Sequence, residues 1–309
     1  MIMIRTDLAM EATESYGAAQ IPGVSVENEV IRGIKKTKVT VHNAEGEKAI
    51  GKKIGTYVTL EYKELAKGDM DADENCSKAL ADEIKSMAGD ALKGAVLVAG
   101  LGNRMVTPDS LGPEVCDLVF VTRHIREYAP ENIDERMGNV SVISPGVLGV
   151  TGLETGEIIE GVVQRIRPTL IIAVDSLASR SIDRIRTTLQ IGDSGISPGS
   201  GIGNKRKALD KETLGVPVIA LGVPLVVYAS TVAHDLLEAA MAKTLQDSRV
   251  KSGMEDVLRG MSDVEGADMI VTPKEIDKVV KDLARIISDA LNIALHRDMT
   301  LEETRRYMH

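Results

Sequence analysis

Short apolar runs punctuate the chain from residue 95 onward: Ala95–Ala99, Val140–Ile143, Leu170–Val174 and Val216–Leu221. Runs of this length, bounded by turn residues, predict buried strands. Between them the apolar positions recur at helical spacing. Ala79, Leu80, Ile84, Met87, Ala88 and Leu92 predict a helix leading into Ala95, and Ile158, Ile159, Val162, Val163 and Ile166 predict another that Pro168 stops. Thr272-Pro273-Lys274-Glu275 has the form of a capping box and is followed by Ile276, Val279, Val280, Leu283, Ile286, Ile287 and Leu291 on one face. The alternation predicts an α/β fold with a mostly parallel sheet flanked by helices.

The first part of the chain reads differently. Val39-Thr40-Val41 and Tyr57-Val58-Thr59-Leu60 are β-leaning pieces separated by the Gly- and Lys-rich stretch Glu45 to Gly55, which predicts an antiparallel layer or subdomain over residues 8–70, packed on a core of residues 71–309. Residues 243–266 are charged and weakly periodic, an excursion between two packed helices.

Composition narrows the class. The 309 residues can bury a full core, yet they include one Phe, six Tyr and no Trp, so stacking platforms for nucleic-acid bases are scarce. A net charge of −9 with no long basic block also argues against direct nucleic-acid binding. Cys76 and Cys116 form neither a disulfide framework nor a metal-ligand spacing, and no stretch reaches bilayer length, so the expectation is an intracellular protein without membrane contact.

Two aspartates carry the chemistry. Asp109 follows the Ala95–Ala99 run, and Asp175 directly ends Leu170–Val174. The carboxyl ends of parallel strands line one edge, so both acids can meet in one crevice. Two close carboxylates cannot both ionise cheaply; one stays protonated as acid while the other activates water, the division of labour that peptide hydrolysis needs. The plainer alternative is that each caps a helix or turn. Gly-rich loops at 144–152 (with Pro145 and Gly146) and 192–204 (with Gly199, Gly201 and Gly203) could wall the crevice, or simply connect elements. Gly100-Leu101-Gly102-Asn103 invites a nucleotide-binding regulatory role, weakened because Met105 stands where the third glycine of that fingerprint belongs. His234 is the one histidine that could join both aspartates as a metal ligand, the arrangement of a metallopeptidase.

Taken together, several motifs resemble the germination protease family, endopeptidases of small acid-soluble spore proteins. They are Arg5-Thr6-Asp7-Leu8-Ala9, Gly100-Leu101-Gly102-Asn103 with Val106-Thr107-Pro108-Asp109, Pro145-Gly146-Val147 and Ala173-Val174-Asp175-Ser176-Leu177-Ala178-Ser179-Arg180-Ser181. Gly192-Asp193-Ser194-Gly195-Ile196, the run Pro198 to Lys207, and Val271-Thr272-Pro273-Lys274-Glu275 complete the set. The resemblance implies an atypical aspartic endopeptidase with Asp109 and Asp175 as catalytic positions and no obligatory metal or other cofactor. It also implies a fold similar to that of hydrogenase-maturation peptidases, which bind metal at related positions. It further implies a homotetrameric zymogen in the forespore or spore core, acting in germination on spore proteins that protect DNA. Because the family cuts at an acid–apolar junction, self-cleavage is expected between Asp7 and Leu8, with residues 1–7 as the propeptide.

Overall fold

Among the described residues of the computed structural model nine strands build one sheet: β1 (Val24–Ile31), β2 (Ile34–Val41), β3 (Gly55–Glu61), β4 (Ala95–Gly100), β5 (Asn139–Ile143), β6 (Leu170–Ser179), β7 (Thr188–Gly192), β8 (Val218–Tyr228) and β9 (Ile270–Val271). The structure describes residues 6–14, 16–17, 19–65, 69–197, 207–244, 266 and 269–307, with side chains between Ala229 and Thr244 described to residue 237. Gly199, Gly201, Gly203 and residues 245–265 of the charged excursion lie outside the described residues. The strand order is β1-β2-β3-β7-β8-β6-β4-β5, with β9 added to β8. β5, β4, β6 and β8 run parallel, while β1, β2, β3 and β7 pair antiparallel. The N-terminal strands therefore extend the core sheet, joined to it where Leu60 of β3 lies opposite Leu189 of β7. Their tight hairpin uses Arg32 and Gly33 at φ 50 and 76, the left-handed pair that matches strand twist.

Side-chain alternation along β6 assigns the two faces. Ile172 and Val174, with Val96, Val98, Ile219 and Leu221, pack against the long helices Met70–Ala88 and Ile276–Leu295. Ile171 and Ala173, with Leu97, Ala99 and Val218, pack against the helix Thr155–Ile166. Farther along that second face Leu177 joins Leu8, Ala9 and Met10, Val39 and Val41 of β2 and Tyr57 of β3 in a separate cluster. Asp175 belongs to the same odd-numbered series, so it falls between the two apolar clusters on one face.

Four local expectations change. β6 does not end at Asp175: its parallel pairing with β8 continues from Asp175↔Gly222 to Ser179↔Val227, because backbone pairing carries buried polar residues that an apolar run excludes. The Glu45 to Gly55 stretch contains a helix, Ala44–Ile50, whose first turn is capped by Asn43 Oδ1 accepting from the Glu45 and Gly46 amides and whose end is Gly51 at φ 68. The apolar positions Val115, Leu118, Val119 and Ile125 predict one helix after Asp109, which breaks into Leu111–Leu118 and Arg123–Tyr128, and the Phe120 amide in the gap donates to Asn292 Oδ1. The capping box at Thr272 does not form: the Thr272 hydroxyl donates to the Leu225 carbonyl at 2.9 Å, and the helix starts at Ile276. Among the described residues no helix is long and apolar enough to cross a membrane.

Candidate active site

β4 and β6 pair as far as Gly100↔Val174, after which β4 leaves the sheet and β6 continues. The departing chain stays tied to that edge through the Leu101 amide, which donates to the Val174 carbonyl at 2.8 Å. Gly100 and Gly102 let the segment around Asp109 fold back onto this loop. A Cβ at Gly100 would lie 2.1 Å from the Gly112 oxygen, and one at Gly102, where φ is 108, would lie 2.0 Å from the Asp109 oxygen. These glycines thus admit the chain's own backbone. Asp109 closes the turn Thr107–Asp109, and its Oδ2 accepts from the Asn103 amide at 2.8 Å, so it caps this loop; the helix beginning at Leu111 has no side-chain cap. Asp175 is buried, with Oδ1 accepting from the Ser176 amide at 2.9 Å. The structure therefore brings both aspartates to the carboxyl edge of two adjacent parallel strands.

Beside Asp175 lies a cavity of about 360 Å³, lined in part by Asp7, Lys52, Leu177, Gln190, Ser194 and Gly222. The N-terminal segment runs along it. The Asp7 amide donates to the Ala178 carbonyl at 2.9 Å, and the Ala178 amide returns a bond to Asp7 Oδ2 at 2.8 Å. Leu8 and Ala9 have no exposed surface. Gln190 holds the chain on both sides of Leu8: Nε2 donates to the Asp7 carbonyl at 3.0 Å and Oε1 accepts from the Ala9 amide at 2.7 Å. Lys52 Nζ donates to the Thr6 carbonyl at 2.9 Å. Burial pushes the Lys52 amine below its ordinary range, opposed by the Asp7 and Glu11 carboxylates. Glu11 anchors the downstream side. Its buried carboxylate accepts from the Arg180 and Ser181 amides at 2.7 and 3.1 Å and pairs with Arg184 Nη1 at 2.8 Å.

The other candidates are dispersed. Pro145 and Gly146 follow β5 at the same edge, on the far side of β4 from β6, and Thr155 Oγ1 donates to the Gly146 carbonyl at 3.0 Å; neither lines the cavity. The described half of the second glycine loop, Gly192 to Ser197, does line it. His234 lies in the helix after β8 with Nδ1 3.8 Å from Asp235 Oδ1. Among the described residues no three His, Cys, Asp or Glu side chains converge as a metal site requires. Cys76 and Cys116 are buried free thiols whose pKa values burial pushes up to about 12 and about 11. Pattern reading passed over Gln190, Lys52 and the Glu11–Arg184 pair. The available signal was a glutamine inside the apolar run Leu189-Gln190-Ile191, since a buried polar side chain needs partners.

The family model described as germination protease matches residues 4–252 and 239–308. The chain is 46% identical over 318 residues to the germination protease of Caldanaerobacter subterraneus subsp. tengcongensis, covering 99% of this chain and 98% of that one. It is 42% identical over 327 residues to the germination protease of Clostridium acetobutylicum, covering 100% of both, and 36% identical over 366 residues to that of Halalkalibacterium halodurans, covering 99% and 97%. Among solved structures, a nickel–iron hydrogenase maturation protease, HycI, from Thermococcus kodakarensis aligns at a TM-score of 0.35 and 16% identity, over 69% of this chain and 98% of that one. The chain belongs to the germination protease family and is, with it, a peptide-bond hydrolase of spore germination.

Proposed function

We propose that this chain is an aspartic endopeptidase that begins the degradation of small acid-soluble spore proteins, with Asp109 and Asp175 activating water. The observation that carries the reading is that both aspartates stand at the carboxyl edge of adjacent parallel strands, where β4 departs and β6 runs on. One member of the pair takes a proton from water as its oxygen attacks the peptide carbonyl. The other protonates the departing nitrogen. We propose further that the enzyme is made in the forespore as a homotetrameric zymogen that cuts itself between Asp7 and Leu8. The seating of that bond beside the cavity supports this part of the reading.

The test is to purify folded Asp109→Asn and Asp175→Asn chains and follow hydrolysis of a spore-protein substrate, with mass spectrometry of the chain's own N-terminus. Each variant is expected to lose roughly 1,000-fold or more of the rate. Near-normal cleavage by either would overturn the aspartate pair. An active enzyme that keeps Met1 to Asp7 would overturn the zymogen.

A further inference from the structure

We propose that Gln190 is a further catalytic residue, the donor that holds and polarises the scissile carbonyl during the cut at Asp7–Leu8. The proposal rests on the reading that this bond is the one cleaved. Strand register supplies its first support. Asp175 of β6 is opposite Gly222 of β8, Gly222 is opposite Gln190 of β7, and Gln190 is opposite Thr59 of β3. These residues form one row across the sheet, and opposed residues point to the same face. Two strand spacings separate Asp175 from Gln190, roughly 10 Å between backbones. The residue between them is a glycine, so the row has a trough at its middle. The Leu177 side chain lies over that trough, since a Cβ at Gly222 would be 2.5 Å from Leu177 Cγ.

The second support is what Gln190 holds. Gln190 Nε2 donates to the Asp7 carbonyl oxygen at 3.0 Å, and Oε1 accepts from the Ala9 amide at 2.7 Å. The amide thus grips the peptide unit on both sides of Leu8 and fixes its own orientation, since only the nitrogen can donate. Gln190 is itself 9% exposed, between the buried Leu189 and Ile191. Leu8 and Ala9 are already fully buried, so apolar contacts hold the segment there. A buried amide whose N–H points at the reacting oxygen adds something those contacts cannot.

The chemistry follows with its protons accounted for. One carboxylate of the Asp109–Asp175 pair takes a proton from water as the water oxygen bonds to the Asp7 carbonyl carbon. The π pair of the C=O bond moves onto the carbonyl oxygen, and the Gln190 N–H stays in place as its hydrogen-bond donor. A fixed donor stabilises that oxyanion more than the neutral carbonyl, which lowers the barrier. The tetrahedral centre then expels the Leu8 nitrogen, which takes the proton held by the other carboxyl. The pair ends with one proton, as it began, and Gln190 has exchanged none.

Gln190→Met tests this in the full-length chain, because methionine keeps the length of the side chain and removes the donor. The measurement is the rate at which the Leu8 N-terminus appears by mass spectrometry, taken across pH, with circular dichroism as the check of folding. The expected result is a plateau roughly 100- to 1,000-fold below the parent's with the pH limbs unmoved, since removing one oxyanion donor costs about that much and leaves the aspartates alone. A folded variant whose plateau stays within about threefold of the parent's overturns the proposal. If Gln190→Met does not fold, Gln190→Glu carries the same test with the same limits on the plateau, because its carboxylate keeps an acceptor for the Ala9 amide and lacks the donor. A parent chain that is active on spore proteins yet never yields the Leu8 N-terminus overturns the autoprocessing reading and this proposal with it. A parent that cuts there while the variant cuts equally well overturns this proposal alone.

Discussion

Glu11 shows how a single residue fixes the N-terminal segment. Its side chain has no exposed surface, and two backbone amides and Arg184 satisfy its charge. Removing the charge leaves Arg184 facing Glu14 and Glu61 with its nearest buried partner gone. Glu11→Gln should cost about 3 kcal/mol, the low end for breaking a buried pair, and urea unfolding would measure it; a loss below about 1 kcal/mol would mean that the ion pair behaves as a surface one. Gly102→Ala is expected to act on the site itself. Its Cβ would overlap the Asp109 oxygen, so the Asp109 loop must shift, and spore-protein cleavage should fall further than the melting temperature would explain. At this scale the two aspartates were legible because each follows a buried run, Asp175 directly and Asp109 after a loop. Gln190 was not, because both of its partners lie more than 180 residues earlier in the chain.

Among the elements, the long helix Ile276–Leu295 was the plainest in sequence and its first turn the least well anticipated. The apolar stripe fixes which face is buried, while the Thr272 hydroxyl is claimed by Leu225 on β8, a contact with no local signature. β6 was read short for a related reason, since its second half is held by strand pairing and contains Asp175, Ser176 and Ser179. The far end of the helix holds a testable joint. His296 is fully buried; its Nδ1 accepts from the Gly138 amide at 3.2 Å and its Nε2 lies 3.1 Å from the Phe120 carbonyl, so the neutral ring with the proton on Nε2 fits both. Burial lowers its pKa to about 4 from 6.5, with the Phe120 carbonyl working in the opposite direction. The unfolded chain therefore takes up the proton first. Stability from this joint is fully present above pH 6.5 and declines as pH falls toward 4, by roughly 3 kcal/mol over that window. Denaturant midpoints measured across it should fall less steeply for His296→Gln than for the parent; equal slopes would assign the pH dependence to other groups.

Over the whole molecule, one sheet joins what composition divides. The N-terminal strands read as a separate antiparallel unit because they are polar, yet pairing of β3 with β7 makes Lys52, Lys53 and Tyr57 a wall of the cavity that Gln190 and Gly222 also line. That continuity lets residues from opposite ends of the numbering meet, and no local pattern encodes it. It also determines what the molecule can act on. Beyond Val174, β6 has lost β4 as a neighbour, and the amide and carbonyl of Ala178 are satisfied by Asp7 alone among the bonds described. Any outside chain that takes over this seat must offer its own amide and an acceptor in extended form, adding a strand to an open edge. A helix keeps those groups for itself. The edge therefore filters by conformation before it reads sequence. One acid–apolar junction should be cut when carried in a flexible tail and spared when the same residues are locked inside a stable helix, and comparing the two carriers by mass spectrometry would measure the strength of that filter.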